Sequence, residues 1–454
     1  MSEADSSQRW RWPRYRDSLI RGADGGWPVP VDQPSLRGLA AAALIEWRYF
    51  AVLSPAFHGL VGLALVNPER RFAAVAEGGL LVIVAGVLGR APMPDGPSDA
   101  SPMLVPSDLG PADRISADRV SENRVSENRV SENRVSENRV ATGQAELCWM
   151  HLFSPDVCLF DGPAPGALEA EDRRCRLSLR QSDAAQAELR LETANGLQLD
   201  LVHQGVSDTQ LAPVLGSDLD APLGRLLGSH WLVDCPSPVA RCDGAIAFGG
   251  DSLACLATAA GDDADSYATP ALRARVSAGE QVFRWQAADG YAEHSFGIRP
   301  LPLHGWDFLF VPKAATGEAV VLQTYRGSRQ LRYLEVCWRQ DGVTRHHRFE
   351  ANRVRLDWSE RTFDPVLGVW RPLRRTIEAR DAGLQVRVEN RVLHRIPLLR
   401  RHQLAVRHFF ISEEIGVADW WLEDAHGRCL AEVRGQRCGG ELAHFRLRAP
   451  RRSV

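Results

Sequence analysis

The stretch Leu189–Leu201, reading LRLETANGLQLDL, carries the pattern that decides the fold class. Leucines alternate with polar residues on both sides of Asn195–Gly196. Alternation with a period of two predicts strands with one buried face, and Asn-Gly is a strong signal for a tight hairpin turn. The stretch therefore predicts an antiparallel β-hairpin.

The same pattern recurs along most of the chain. In the C-terminal third, alternating segments flank turn residues at Asp341–Gly342, Asp381–Gly383 and Ala425–Gly427. Between Gly38 and Leu88, apolar segments are interrupted by Gly, Pro or Asn at roughly the 8–12-residue spacing typical of consecutive strands. Few segments have a helical apolar period. We expect an all-β fold of two antiparallel β-barrel or β-sandwich domains with few helices.

Shifts in composition divide the chain. Residues 1–34 lack periodicity and are predicted to be an irregular tail, followed by an N-terminal β domain over 35–265 and a C-terminal β domain over 275–450. Residues 91–142 interrupt the first domain, and RVSEN occurs four times within 119–138. A period of five fits neither a helix face nor a strand, so we predict a disordered insert without a catalytic role.

Composition excludes several classes of function. The net charge of −3 argues against nucleic-acid binding, and Lys313 is the only lysine among many arginines. Nine cysteines without a C-x-x-C pair indicate reduced thiols and neither a zinc ribbon nor a disulfide framework. The N-terminus lacks the apolar core of a secretion signal, and Gly78–Gly89 is too short to span a bilayer as a helix. These features predict a cytoplasmic protein, with a peripheral membrane contact left open.

Motifs for other chemistries are weak or missing. Gly250–Leu253 reads GDSL, but its serine lies among predicted strands, and Asp424–His426 has the wrong spacing for the D-x-x-H of such hydrolases. His346 and His347 are adjacent in a predicted strand and so point to opposite faces. The sequence contains neither a P-loop nor a G-x-G-x-x-G that opens a helix. We therefore expect neither a metal nor another cofactor.

The stretch Asp289–Phe310, DGYAEHSFGIRPLPLHGWDFLF, concentrates polar, titratable and aromatic residues between predicted strands. Glycines and prolines punctuate it, as they do in connections that carry sites. This stretch is the leading candidate for a functional site.

Its motif resembles one in a lipocalin-like superfamily that contains carotenoid 1,2-hydratase (hydroxyneurosporene synthase) and tocopherol cyclase. The resemblance rests on GYAEHSFG at 290–297 with GWDF at 305–308, on EWRYF at 46–50, and on HWLVDCP at 230–236 followed by CDGAI at 242–246. These short motifs occur in the family's order and span most of the chain. The resemblance implies two lipocalin-like β domains with an apolar cavity for an isoprenoid or a similar lipophilic small molecule.

The resemblance also implies catalytic residues. The tyrosine and acid of its G-Y-x-D motif correspond to Tyr291 and Glu293, and an upstream histidine and tryptophan correspond to His230 and Trp231. This chain departs from the pattern, because Glu293 replaces an aspartate and the histidine and tryptophan are adjacent. The implied activity is that of a carbon–oxygen lyase, a hydratase of carotenoid biosynthesis.

The chemistry of these residues is consistent with acid catalysis. Adding water to a C=C bond, or cyclising onto it, requires a proton donor and a shielded cation. A carboxyl group in an apolar barrel has a raised pKa and can donate a proton, and aromatic faces stabilise a carbocation. We predict Glu293 as the acid, positioned by Tyr291, with Trp231 or Trp306 facing the cation. The substrate site would include Trp306, His294 and Trp285.

Each residue also has a structural interpretation. Glu293 could pair with an arginine such as Arg299, the tryptophans could fill the core, and His230 and His294 could be structural. The alternative function is a non-catalytic lipocalin-like carrier of a lipophilic molecule. The two hypotheses differ in whether Tyr291 and Glu293 point into a closed apolar environment.

Overall fold

The structure of the chain is a computed structural model. It describes residues 44–66, 79–89, 145–154, 157–160, 167–181, 186–206, 211–217, 230–248, 281–298, 305–326, 330–364, 369–403 and 407–447. The predicted tail, the pentapeptide insert, the GDSL segment and Arg299 lie outside these ranges.

The described residues form β-strands almost throughout, which confirms the all-β prediction. The strands of the first sheet are β1 (Leu44–Leu53), β2 (Phe57–Val66), β3 (Gly79–Leu88), β4 (Ala145–Phe153), β5 (Cys158–Phe160), β6 (Leu168–Glu171), β7 (Cys175–Gln181), β8 (Gln186–Thr193), β9 (Leu197–Gly205), β10 (Leu211–Ser217), β11 (His230–Phe248) and β12 (Gln281–Ile298). The strands of the second sheet are β13 (Gly305–Lys313), β14 (Glu318–Arg326), β15 (Gln330–Gln340), β16 (Val343–Glu350), β17 (Val354–Asp364), β18 (Val369–Asp381), β19 (Leu384–Gln403), β20 (Arg407–Asp424) and β21 (Cys429–Leu447). A 3₁₀ turn occupies Ala351–Arg353. No helix in the described ranges is long and apolar enough to cross a membrane.

Both sheets are antiparallel, and each follows the chain closely. The twelve-stranded sheet has the order β4-β3-β2-β1-β12-β11-β9-β8-β7-β6-β5, with β10 paired to β11. The nine-stranded sheet has the order β16-β15-β14-β13-β21-β20-β19-β18-β17. One sheet curves into a nearly closed barrel and the other into a half-barrel.

The predicted hairpins form as the turn residues indicate. Leu189 lies opposite Leu201, and the turn at Asn195–Gly196 joins β8 to β9. Asp341 and Ala382, in the tight turns before Gly342 and Gly383, have positive φ angles of 54° and 50°. Such angles are those of the primed turns that match the twist of a two-stranded ribbon.

The first sheet extends further along the chain than the predicted first domain. Strand β12 inserts between β1 and β11, so that Ala51 pairs with Tyr291 and Ala240 pairs with Gly290. The chain passes to the second sheet between Ile298 and Gly305. The domain division at residues 265–275 remains a prediction, but it does not coincide with this change of sheet.

Alternation of side chains along the strands creates three apolar cores. Phe50 and Val52 of β1 point into the first sheet's interior, whereas Tyr49 and Ala51 point from its other face onto the second sheet. A third core fills the interior of the second sheet. Strand β3 is buried at all its positions because it borders two cores. The core between the sheets, called the inter-sheet core below, is where the candidate site lies.

Candidate active site

Tyr291 and Glu293 lie on the same face of β12, since strand residues two positions apart share a face. The Tyr291 side chain is fully buried in the inter-sheet core, and its hydroxyl donates a hydrogen bond of 3.0 Å to Glu293 Oε2. Phe310 of β13 stacks on the Tyr291 ring with 4.5 Å between the ring centroids. Two residues predicted as catalytic are therefore in contact, and a ring from the second sheet holds one of them.

Trp306 approaches the same core from the second sheet. It shares a face of β13 with Phe308 and Phe310, both members of the inter-sheet core, and it packs half-buried against that core. Its indole N–H donates a hydrogen bond to Glu441 of β21. The predicted substrate residue Trp306 is thus placed beside an acid that the sequence did not single out.

The other predicted residues are placed differently. Trp285 packs in the first sheet's interior against Phe57, with 5.5 Å between the ring centroids, and does not join Tyr291. Strand β11 begins at His230, and Trp231 pairs with Gly297 through the backbone. His294 of β12 pairs with Arg48 on one side and Asp234 on the other. The side chains of His230, Trp231 and His294 lie outside the described structure.

Three residues missed by the sequence reasoning complete the site: Tyr49, Glu413 and Glu441. Tyr49 lies directly opposite Glu293 in the β1–β12 pair, and its hydroxyl donates a 2.5 Å hydrogen bond to Glu413 Oε1 of the second sheet. Glu413 is only 1% exposed, and Glu441 is its direct cross-strand partner. Acids from both sheets therefore converge on Tyr49 and Tyr291.

The surroundings of Glu413 favour its neutral, protonated form. Burial raises its pKa well above the usual range, and the charges of Glu441, Glu414 and Glu293 raise it further, whereas the hydrogen bond from Tyr49 opposes the shift. Burial also raises the pKa of Tyr49, and Glu413 adds to the effect. Among the described residues, Glu413 Oε2 has no hydrogen-bond partner. One oxygen of this acid is therefore anchored, and the other is available to hold a proton.

The difference between Glu413 and Glu414 arises from the alternation of strand β20. Adjacent strand residues point to opposite faces, so Glu413 enters the inter-sheet core and Glu414 enters the second sheet's interior. There Arg375 and Arg395 bind Glu414, and Arg375 also lies 3.0 Å from Asp307. These arginines lower the pKa of Glu414. Neighbouring acids whose pKa values are shifted in opposite directions are typical of acid–base catalytic sites.

The sequence contains a signal for the adjacent acids Glu413 and Glu414. The segment FFISEEIGVADWW places two adjacent acids inside a largely apolar strand, and one residue of any adjacent pair in a strand faces each side of the sheet. The sequence does not say which acid has a cationic partner, since Arg375 lies 39 residues from Glu414. Within the described ranges, no group of three or more His, Cys, Asp or Glu is arranged to hold a metal ion.

Comparisons with known proteins find similarity only at the level of structure. No protein-family model matches the chain, and no curated protein matches significantly. Among solved structures, CghA with Sch210972 matches with a TM-score of 0.48, 11% sequence identity and 88% coverage of both chains. CghA alone matches with a TM-score of 0.48, 12% identity and the same coverage. A protein described as ATTH (NE1406) from Nitrosomonas europaea has a TM-score of 0.44 and 11% identity, covering 88% of this chain and 92% of that one. Similarities this low assign no activity to the chain.

Proposed function

We propose that the chain is an enzyme that protonates a C=C bond of a lipophilic, isoprenoid-type substrate and then adds water or closes a ring. Glu413 is the proton donor in this proposal. The observation that carries it is the buried Glu413 carboxyl, whose Oε1 accepts a hydrogen bond from Tyr49 while Oε2 has no partner in the described chain. The resemblance to carotenoid 1,2-hydratase supports the hydratase form of the reaction.

The proton and electron balance is simple. The Glu413 O–H gives its proton to one alkene carbon, and the π electrons of the C=C bond form the new C–H bond. The other carbon becomes a carbocation, which Trp306 and Tyr291 can stabilise through their ring faces by about 1–2 kcal/mol each when desolvated. Water then adds to the cation and loses a proton to a carboxylate, and exchange of protons with solvent restores the Glu413 acid before the next turnover. In the cyclising form, a second C=C bond of the substrate replaces water, and the carboxylate removes a proton from carbon.

The remaining carboxyl groups have distinct roles in this proposal. Glu441 accepts a hydrogen bond from the Trp306 indole N–H, and this bond positions the indole ring. Glu293 accepts a hydrogen bond from the Tyr291 hydroxyl. Its side chain is half-buried, so it lies nearer to solvent than Glu413. We assign proton donation to Glu413 and proton return to Glu293. Lipophilic partners and a cytoplasmic location with peripheral membrane contact remain predictions from the sequence.

The test is turnover of acyclic carotenoids such as lycopene and neurosporene, followed by product mass. Glu413→Gln keeps the side-chain volume and removes the acid, so we expect product formation to fall by about 10²–10⁴-fold while substrate binding is retained. Glu293→Gln, made in parallel, is expected to have a smaller effect. Glu432→Gln changes a carboxyl on the exposed face of β21 and serves as the matched control.

Full activity of Glu413→Gln would exclude it as the acid. If wild-type protein binds these substrates without converting them, the carrier function is supported instead.

A further inference from the structure

An exposed aromatic pair lies at one edge of the second sheet. Phe363 of β17 and Trp370 of β18 are direct cross-strand partners, and their ring centroids lie 5.4 Å apart. Their exposed fractions are 49% and 59%, respectively. Strand β17 is the last in its sheet order, so the described chain adds no further strand beside the pair. Clustered aromatic rings left in water mark a surface that binds a partner.

Exposed arginines lie on the same face of the sheet as the two rings. On β17, Arg361 is exposed and lies two positions before the phenylalanine, so both share a strand face. On β18, Arg371 and Arg375 are buried in hydrogen bonds inside the second sheet. Trp370 and Arg374, each adjacent to one of these buried arginines, therefore point outward together.

Arg374 has a like-charged neighbour. Arg391 of β19 is its direct cross-strand partner, and like charges in that position destabilise a strand pair. Glu360 lies 3.5 Å from Arg374, whereas no ion pair forms at Arg391 within the described ranges. Asp364 ends β17, and even when it is counted, arginines outnumber acids on this surface. An anionic partner relieves the repulsion between the arginines, and a neutral or cationic partner does not.

We propose that this aromatic–arginine surface, formed by Arg361, Phe363, Trp370, Arg374 and Arg391, binds an anionic lipid bilayer. Tryptophan is enriched at membrane interfaces because its ring is largely apolar and its N–H is polar, and arginines near anionic headgroups strengthen binding. The rings lie near the end of a hairpin whose connecting residues 365–368 read PVLG and carry no charge. Such an edge can enter a headgroup layer without a complementary pocket, which a protein partner would have to provide.

The aromatic–arginine surface is close to the strand that carries the proposed acid. Arg395 of β19 donates a 2.6 Å hydrogen bond to the Pro372 carbonyl of β18 and is the cross-strand partner of Glu414 in β20. Glu413 is the next residue of β20. A bilayer bound at this surface therefore lies two strands from Glu413. The inference goes beyond the proposed function, since a carrier of lipophilic molecules gains as much from it as an enzyme.

The test is co-sedimentation of the full chain with lipid vesicles. One set contains phosphatidylcholine alone, and the other contains about 30 mol% phosphatidylglycerol as the anionic lipid. We expect wild type to bind the anionic vesicles about tenfold more tightly than the neutral ones. High salt should remove most of that difference, because it screens exposed charges.

Four variants localise the binding. Replacing both Phe363 and Trp370 by Ala is expected to lower binding to both vesicle types at least tenfold. Arg391→Gln is expected to weaken binding to anionic vesicles several-fold and leave neutral vesicles unchanged, whereas Glu360→Gln should strengthen anionic binding. Val343→Ala is the matched control, because it shortens a 53% exposed side chain on β16, the strand at the other end of the sheet order. It should bind like wild type.

No vesicle binding by wild type would overturn the inference and leave the surface to a protein partner. Unchanged binding by the double variant, or an equal loss in Val343→Ala, would overturn it as well. Circular dichroism checks that each variant is folded, and the two wild-type measurements with Arg391→Gln decide the matter if the double variant is not. The vesicle assay contains no substrate, so its result is independent of turnover and of the role of Glu413.

Discussion

At the scale of single residues, neighbouring groups with similar chemistry have different properties because their surroundings differ. Glu413 and Glu414 are adjacent and both buried, yet in the described part of the chain arginines form ion pairs with Glu414 and not with Glu413. Desolvation without a counter-charge stabilises the neutral acid, whereas an ion pair stabilises the carboxylate. The proton-donating role proposed for Glu413 follows from this difference.

The raised pKa of Glu413 predicts a pH-dependent stability difference. An acid whose pKa is higher in the folded than in the unfolded state contributes stability below its unfolded pKa and loses that contribution as pH rises through the folded pKa. Glu413→Gln cannot ionise, so we expect its stability relative to wild type to increase from pH 5 to pH 9. Urea unfolding at both pH values measures the difference, with Glu432→Gln as the control. A stability difference between Glu413→Gln and wild type that does not change with pH would contradict the raised pKa of Glu413.

Tyr49→Phe tests the hydrogen bond that anchors Glu413. The Tyr49 hydroxyl lowers the pKa of Glu413 against the larger effect of burial, so its removal should raise that pKa further. If Glu413 must be protonated for turnover, the alkaline limb of the pH–rate profile should move to higher pH. We also expect a loss of about 1–3 kcal/mol in stability, since a buried carboxyl oxygen loses its donor. An alkaline limb that moves to lower pH in Tyr49→Phe would refute the role of Glu413 as the proton donor.

At the scale of elements, the site depends on the close approach of β13 and β21. Gly439 pairs with Phe310, and a Cβ atom at Gly439 would overlap the Phe310 ring. The missing side chain therefore makes room for the ring that stacks on Tyr291. A glycine in one strand thus controls the position of a tyrosine in the other sheet.

Gly439→Ala should displace the Phe310 ring from Tyr291. Overpacking of this kind costs about 1–3 kcal/mol, and we expect turnover to fall with it. Gly86→Ala is the control for overpacking away from the site, because its Cβ would overlap the Phe57 ring in the first sheet's interior and the backbone of His58 and Gly59. We expect the control to lose at least as much stability and to retain turnover, measured by thermal unfolding and product formation. Equal activity losses in both variants would refute a specific role for the stack.

At the scale of the whole molecule, the two sheets share one core and several polar links. Asp289 of β12 accepts hydrogen bonds from the Ala314 backbone N–H at 2.6 Å and from Gln436 Nε2 at 2.7 Å. His58 donates from Nε2 to the Cys438 carbonyl oxygen at 3.0 Å, and burial lowers the pKa of His58 to about 3. These contacts hold the sheets in the register that brings Tyr49 to Glu413.

Asp289→Ala should weaken the contact between the sheets by about 1–3 kcal/mol, since it leaves the buried Ala314 N–H without its acceptor and removes one of the two hydrogen bonds that Gln436 Nε2 donates. Because both sheets border the inter-sheet core, we expect one cooperative unfolding transition in wild type, measured by calorimetry and tryptophan fluorescence together. Asp200→Ala, which removes a largely exposed pair with Arg190, should change stability by less than about 0.5 kcal/mol. Two separate transitions in wild type would show that the sheets unfold independently.

The sequence by itself determined the strands, their turns and the residues that face inward. The alternation at Leu189–Leu201 and the turn at Asn195–Gly196 specify a hairpin through local backbone and packing preferences, and the structure contains it. Tyr291 and Glu293 were expected in a connection between strands, whereas both lie on β12, where residues two positions apart share a face. These features depend on neighbours within a few positions along the chain.

Only the tertiary structure decided which groups meet across the sheets. Tyr49 and Glu413 are 364 positions apart, and Trp306 and Glu441 are 135 apart, so no local pattern relates them. The insertion of β12 between β1 and β11 likewise depends on long-range pairing. Burial and the placement of arginines then set the pKa of Glu413, because desolvation and charge act through space and not along the sequence.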